Sequence, residues 1–178
     1  MTGSHLSKID KLLFLLHYPE NTATGPRRIP IPVTRAHSGR IRTALIGAGS
    51  FAQGMHLPNL VQAGSAYSLH TIASRNGATA RALAERYGAA FASTDTDEAL
   101  LNPDIDLVFI STRHHLHAAL ALKALAAGKH VFVEKPLALN AGELDAIEEF
   151  FRTHPDAPLL MTGFNRRFSP ALARAREI

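Results

Sequence analysis

Apolar and polar positions along this 178-residue chain follow the pattern of short buried strands that alternate with helices. Apolar runs predict six strands, at 41–47, 68–74, 89–93, 104–112, 129–136 and 158–164. Helical periodicity predicts one helical segment from the first strand to about Ala63, and a last helix that begins at Ser169. Between them it predicts helices at 76–88, 95–102, 114–128 and 140–154. This alternation indicates an α/β fold, a doubly wound parallel sheet with helices on both faces.

Residues 1–40 do not follow this pattern. Residues 19–40 are rich in proline, glycine and charge, which predicts a linker or an extended arm and a domain boundary near Arg40. The net charge of +4 belongs to this leader, because its six lysines and arginines face two acids and the rest of the chain is neutral. We therefore expect no nucleic-acid partner.

Composition excludes several other classes of protein. With 46% apolar and 19% charged residues, the chain has the balance of a globular protein with a core. It has no cysteine, so disulfides, zinc–cysteine sites and thiol catalysis are excluded. The apolar run at 12–18 is too short to span a bilayer, and no clear cleavage signal follows it. We expect a cytoplasmic protein with no membrane partner.

A glycine-rich turn joins the first predicted strand to the first helix, with the spacing G-x-G-x-x-A. Gly47 permits a tight turn, Gly49 lets a pyrophosphate approach the backbone, and Ala52 lets the helix lie close to the strand. The helix N-terminus adds amide donors. This pattern predicts a dinucleotide site, although a plain strand-to-helix turn can have the same sequence. The predicted phosphate-binding residues are Gly47, Ala48, Gly49, Ser50, Phe51 and Ala52.

The end of the second predicted strand bears on the choice of cofactor. NAD-specific folds place an acid there for the ribose hydroxyls. Here the chain has Ser74 and Arg75, and no carboxylate lies between Ile72 and Arg81. Ser74 can hydrogen-bond a 2′-phosphate, and Arg75 can pair with it or stack on adenine. The pattern favours NADP over NAD, with a solvated loop arginine as the alternative interpretation.

Three segments resemble the Gfo/Idh/MocA oxidoreductases. They are AGKHVFVEKPLAL at 127–139, GFNRRFSP at 163–170 and HLPNL at 56–60. The resemblance implies a Rossmann domain at 41–165, and a largely antiparallel α+β substrate domain that is absent or only begun at 166–178. The STRHHLHA variant at 111–118 looks most like a subgroup fused behind a zinc-type alcohol dehydrogenase domain.

The resemblance also implies roles for individual residues. Lys135 would be catalytic, beside the nicotinamide. Arg113 and His114 depart from the family pattern, which usually has proline and asparagine there. Strand ends in a doubly wound sheet gather ligands, so Gly49, Thr112 and Lys135 should converge. A cis Lys135–Pro136 bond would aim the lysine inward. The further residues expected to line the cofactor are Ser74, Arg75, Ser111, Thr112, Arg113, His114, His117, Glu134 and Lys135.

These expectations lead to two functional hypotheses. The first is an NAD(P)-dependent oxidoreductase that moves hydride to or from a sugar-like or polyol secondary alcohol or ketone, incomplete as this chain alone. The second is a non-catalytic dinucleotide-binding module or sensor. The expected partners are the cofactor, a small polar substrate and a second copy in a homo-oligomer. His114 and His117 share a helix face, but no nearby acid completes a metal site, so none is expected.

Overall fold

The computed structural model describes residues 27–31 and 39–176 and contains a seven-stranded sheet. The strand order is β1-β4-β3-β2-β5-β6-β7, and every neighbouring pair is parallel except β1 with β4. The strands are β1 (Arg28–Pro30), β2 (Ile41–Ile46), β3 (Tyr67–Ala73), β4 (Phe91–Ser93), β5 (Leu107–Ile110), β6 (His130–Val133) and β7 (Leu160–Thr162).

The helices lie between the strands, as the periodicity predicts. They are α1 (Leu57–Gln62), α2 (Gly77–Tyr87), α3 (Thr96–Leu100), α4 (His117–Ala126), α5 (Ala141–Thr153) and α6 (Pro170–Ala175). A π-helical turn, Ala52–His56, leads directly into α1, and Pro58 lies in the first turn of α1, where the missing N–H does not matter. Single 3₁₀ turns, His114–Leu116 and Asn165–Phe168, precede α4 and α6.

Two apolar cores lie on opposite faces of the sheet. Alternation along β2 sends Leu45 to one core and Ala44 and Ile46 to the other. The first core is covered by α1 and α2, and the second by α3, α4 and α5. Burial on both faces explains why the strands are nearly continuous apolar runs. The predicted doubly wound α/β fold is confirmed.

The strand β1 was not predicted, because it lies in the segment expected to be a linker or an arm. It pairs antiparallel with β4, and Ile31 beside it is buried in the first core. Arg27 adds an ion pair to Asp95 at 2.8 Å. A three-residue strand beside prolines is too short to show a periodic pattern in the sequence. It becomes recognisable only in the structure, where it pairs with the edge of β4. The rest of the predicted leader, residues 1–26 and 32–38, lies outside the described residues.

Within the part of the chain that the structure describes, no helix has both the length and the apolar character needed to cross a membrane.

Candidate functional site

Six parallel strands end at one level of the sheet. Their register places side by side the final residues Ser93, Ala73, Ile46, Ile110, Val133 and Thr162. Neighbouring strands lie about 4.8 Å apart, so the loops that follow emerge in a row. We call this row the C-terminal edge. The loops after β2, β5 and β6 do emerge together, as the sequence predicts.

Backbone hydrogen bonds fix the first residue of each of these loops against the neighbouring strand. The amides of Gly47, Ser111, Glu134 and Gly163 each donate to the last carbonyl of the strand beside them, with N···O distances of 2.8 to 2.9 Å. The loops therefore begin from a rigid support. A binding site at this edge would start from positions set by the sheet rather than by loop flexibility.

The glycine turn has the geometry that its spacing predicts. Gly47 has a φ of 92°, and an added Cβ would lie 2.6 Å from the Ser111 carbonyl carbon and 2.8 Å from the Thr112 nitrogen. Glycine is needed here for backbone conformation and for close approach. Ala52 is fully buried, so the helical segment at 50–62 does pack closely on the sheet.

Gly49 presents the opposite environment. An added Cβ would meet no atom within 4 Å, and the residue is exposed. Among the described residues, no acceptor is found for the backbone amides of Ala48, Gly49 and Ser50. The Gln53 side chain donates to the Ala48 carbonyl at 2.8 Å and holds the turn. The result is an open, donor-rich concavity at the start of a helical segment.

Ser74 and Arg75 follow β3 on one side of this turn. The Ser74 amide donates to the Ser93 carbonyl at 3.0 Å. The Ser74 residue is half-buried at the C-terminal edge. Arg75 is exposed, and Asn76 begins α2 by accepting a hydrogen bond from the Thr79 amide. Whether these side chains contact a cofactor stays a prediction.

His117 is fully buried beneath the loops, whereas Arg113 and His114 are exposed. Its Nδ1 lies 2.8 Å from the Pro136 carbonyl oxygen and its Nε2 lies 3.1 Å from the Thr112 carbonyl oxygen. Carbonyl oxygens only accept, so whichever ring nitrogen carries an N–H donates to the oxygen beside it. The ring thus lies between the loop after β5 and the loop after β6 and contacts both, and cofactor contact by His117 stays a prediction.

The loop after β6 carries the Glu-Lys-Pro segment. The Lys135–Pro136 peptide bond is cis. Lys135 is exposed at the C-terminal edge. The Glu134 carboxylate is directed to His56, and its Oε1 lies 2.9 Å from Nε2 of that residue. The sequence predicted Glu134 as a cofactor contact, and the structure gives its carboxylate a protein partner.

His56 begins the HLPNL segment of the family resemblance, but the sequence predicted no site role for it. Only 11% of its side chain is exposed, and its ring lies edge-on to the rings of Phe51, Phe109 and Phe132 at centroid distances of 5.2 to 5.6 Å. Burial lowers its pKa below the ordinary 6.5, and the Glu134 carboxylate offsets part of that shift. The sequence signals that could have indicated this pair were a histidine beside the glycine turn and an acid at the end of a later strand.

A groove of about 340 Å³ opens beside this pair, on the face of the sheet that carries α1. Its lining is largely apolar and includes the rings of Phe109, Phe132 and Phe164 together with His56 and Glu134.

The histidine cluster forms no metal site within residues 27–31 and 39–176, where no group of three potential ligands is found. The rings of His114 and His117 do approach to 5.6 Å. Arg166 and Arg167 are exposed, and Arg167 lies over the Phe164 ring at 5.4 Å. Their role is not assigned by these contacts.

Comparison with known proteins agrees with the geometry of the edge. The family model described as an oxidoreductase family with an NAD-binding Rossmann fold matches residues 41–162, which is more than half of the chain. The chain belongs to the Gfo/Idh/MocA family. This segment is therefore the nucleotide-binding Rossmann domain of an NAD(P)-dependent oxidoreductase family.

Several Gfo/Idh/MocA relatives are similar over the same region. A 4-carboxy-2-hydroxymuconate-6-semialdehyde dehydrogenase from Sphingobium sp. is 36% identical over 131 residues, 74% of this chain and 40% of that protein. A myo-inositol 2-dehydrogenase from Thermotoga maritima is 32% identical over 137 residues, 77% of this chain and 40% of that protein. The chain thus spans about two fifths of the length of these curated relatives.

Solved structures show the same extent of similarity. A 3-ketoreductase from Actinomadura kijaniata, in complex with NADP and TDP-benzene, superposes with a TM-score of 0.70 at 30% identity, over 78% of this chain and 41% of that one. A myo-inositol 2-dehydrogenase from Lactobacillus plantarum has a TM-score of 0.72 at 26% identity, over 78% and 40%. Both NAD- and NADP-linked proteins occur among the relatives.

Proposed function

We propose that this chain binds a nicotinamide dinucleotide along the C-terminal edge, as the cofactor-binding part of an enzyme. The enzyme would move hydride to or from a secondary alcohol or ketone of a sugar-like or polyol molecule. The observation that carries the proposal is the glycine turn, where Gly47 packs on Ser111 and Thr112 while Gly49 faces open space. The relatives named as inositol dehydrogenases support the substrate class.

The residues present fit the phosphates of such a cofactor. A side chain at Gly49 would fill the open space, and the amides of Ala48, Gly49 and Ser50 can donate to phosphate oxygens. Ser111, Thr112, Arg113 and His114 follow the adjacent strand and would extend the contact. The sheet fixes the start of each loop, so the site needs little reorganisation before binding.

Lys135 is the proposed catalytic residue. A bound nicotinamide supplies the hydride acceptor or donor. The Lys135 ammonium can donate a hydrogen bond to a substrate hydroxyl or carbonyl oxygen, and it can release its proton to that oxygen when a ketone is reduced. In the oxidation of an alcohol the neutral Lys135 amine would take up the proton that leaves the hydroxyl. Its exposure at the edge, two strands from the glycine turn, supports this role.

We further propose NADP as the preferred cofactor. Ser74 and Arg75 stand at the end of β3, next to the glycine turn, and no carboxylate lies near enough in sequence to repel a 2′-phosphate. A cytoplasmic location, a homo-oligomer and a second domain that begins at residues 166–178 are further proposals. None of them affects the test that follows.

Fluorescence titration with NADPH and NADH tests cofactor binding directly. Gly49→Ala and Gly54→Ala form a matched pair, because an added Cβ meets nothing within 4 Å at either position. We expect the change at Gly49 to weaken binding by about tenfold, roughly 1.4 kcal/mol, and the change at Gly54 to leave it unaltered. Failure of the wild-type chain to bind either nucleotide would reject the proposal.

Turnover assays with polyols and sugars then separate the two hypotheses. Hydride transfer in the presence of a bound nucleotide supports the oxidoreductase. Tight binding without turnover of any of these substrates, measured on a chain that also carries the second domain, favours the non-catalytic module or sensor.

A further inference from the structure

We propose that His56 is a positioning residue that sets the direction of Lys135 by holding the Glu134 side chain. The proposal rests on the proposed function, in which Lys135 serves the reaction. His56 belongs to the helical segment that begins at the glycine turn, and Glu134 directly precedes Lys135. One hydrogen bond therefore connects the phosphate-binding end of the site to its reactive end.

The Glu134 carboxylate is held on more than one side. Nε2 of His56 lies 2.9 Å from its Oε1, and only 14% of the Glu134 side chain is exposed. The carboxylate also packs on the backbone of Gly163, where an added Cβ would lie 3.0 Å from the carboxyl carbon. The Glu134 amide donates to the Ile110 carbonyl at 2.9 Å. Both the backbone and the side chain of Glu134 are thus fixed.

This fixation determines where the next side chain leaves. Beyond the Glu134 amide the chain leaves the strand and bends at Lys135, so the sheet no longer fixes the backbone there. The held Glu134 side chain anchors the residue before Lys135, and Lys135 is exposed at the C-terminal edge. Without the histidine, the carboxylate would have an apolar surface of phenylalanine rings beside it and would turn toward water. Release of that anchor would let the Glu134–Lys135 peptide reorient, and the direction of Lys135 would change with it.

The protonation of the pair agrees with a positioning role. Burial keeps the pKa of His56 below its ordinary value, so the ring is neutral near pH 7. A carboxylate has no proton to donate, so the Nε2–H of the neutral ring must donate to Glu134. The Nε2–H tautomer is therefore a specific, measurable feature of the proposal.

The direct test observes Lys135 by NMR of lysine-labelled protein. The chain has five lysines, at positions 8, 11, 123, 129 and 135, so individual signals can be assigned. His56→Phe keeps an aromatic ring in the cage but removes the donor. His70→Phe is the matched control, since His70 is also half-buried against a phenylalanine ring and its pKa is also lowered by burial.

We expect His56→Phe to shift the Lys135 side-chain signals, and His56→Gln, which retains a donor, to restore them. His70→Phe should leave them unchanged. Nitrogen-15 spectra of the wild type should show the Nε2–H tautomer for His56. Unchanged Lys135 signals in His56→Phe would overturn the proposal, as would an Nδ1–H tautomer. This test needs no bound nucleotide, so it stands apart from any failure of the proposed function.

A second test compares NADPH with 2′-phospho-ADP-ribose, which lacks only the nicotinamide ring. His56→Phe should weaken NADPH binding by about fivefold, the equivalent of one oriented hydrogen bond, and leave 2′-phospho-ADP-ribose binding unchanged. His56→Gln should restore NADPH binding. An equal loss for both ligands, with a lower Tm, would mean that His56 only stabilises the fold and would refute the positioning role.

Discussion

Replacing Gly47 with alanine gives the sharpest test of the architecture of the edge. The backbone at Gly47 has a φ of 92°, and a left-handed conformation costs an alanine about 1–2 kcal/mol. The added Cβ would also lie 2.6 Å from the Ser111 carbonyl carbon, where backbone atoms must move, at a further cost of about 1–2 kcal/mol. We expect Gly47→Ala to lower the free energy of unfolding by about 2–4 kcal/mol.

Thermal unfolding followed by circular dichroism measures this loss. For a chain of this size, about 3 kcal/mol corresponds to a Tm decrease of roughly 6–12 °C. Gly49→Ala is the control, because its Cβ meets no atom within 4 Å, and its effect should stay within about 0.5 kcal/mol. Equal Tm values for Gly47→Ala and the wild type, or equal losses at both glycines, would refute the reasoning.

Three further predictions concern other parts of the molecule. The hydrogen bond from Arg42 holds the pKa of Asp106 below its ordinary value of 3.8. Both side chains are over a third exposed, so Asp106→Asn should lower the free energy of unfolding in urea at neutral pH by at most about 1 kcal/mol. The difference between variant and wild type should vanish as the pH falls through about 4 toward the lower folded-state pKa. His117→Ala should lower the free energy of unfolding in urea by about 2–4 kcal/mol, since it leaves a buried cavity and removes a hydrogen bond, and a loss below about 1 kcal/mol would contradict the loop-bridging role. Arg75→Glu should reduce the ratio of NADPH to NADH affinity at least about tenfold in fluorescence titrations, and an unchanged ratio would exclude Arg75 from the 2′-phosphate site.

The strands and helices were predictable because burial on both faces imposes a simple pattern. The strand predicted at 41–47 is observed at Ile41–Ile46, and the helix predicted at 76–88 is observed at Gly77–Tyr87, where Gly88 ends it with a φ of 70°. Capping residues such as Asn140 and Ser169 accept hydrogen bonds from helical amides at the expected starts. Local signals of this kind are contained within a few residues of sequence.

The unpredicted features depend on contacts between distant segments. His56 and Glu134 are separated by 78 positions, and only the strand order brings them together. The π-helical turn that places His56 has no local signature that the sequence could reveal. The sequence raised the cis bond before Pro136 only as a possibility, because an X-Pro pair does not show its isomer locally.

The short strand β1 has a consequence for how copies of this protein behave when they are crowded together. An uncovered border of a sheet offers unpaired backbone groups to which another chain can add, and this is a route to aggregation. Here Arg28–Pro30 occupies the border of β4, and Pro30 has no N–H to offer to a further strand. The short strand at Arg28–Pro30 thus shields the sheet from uncontrolled growth on that side.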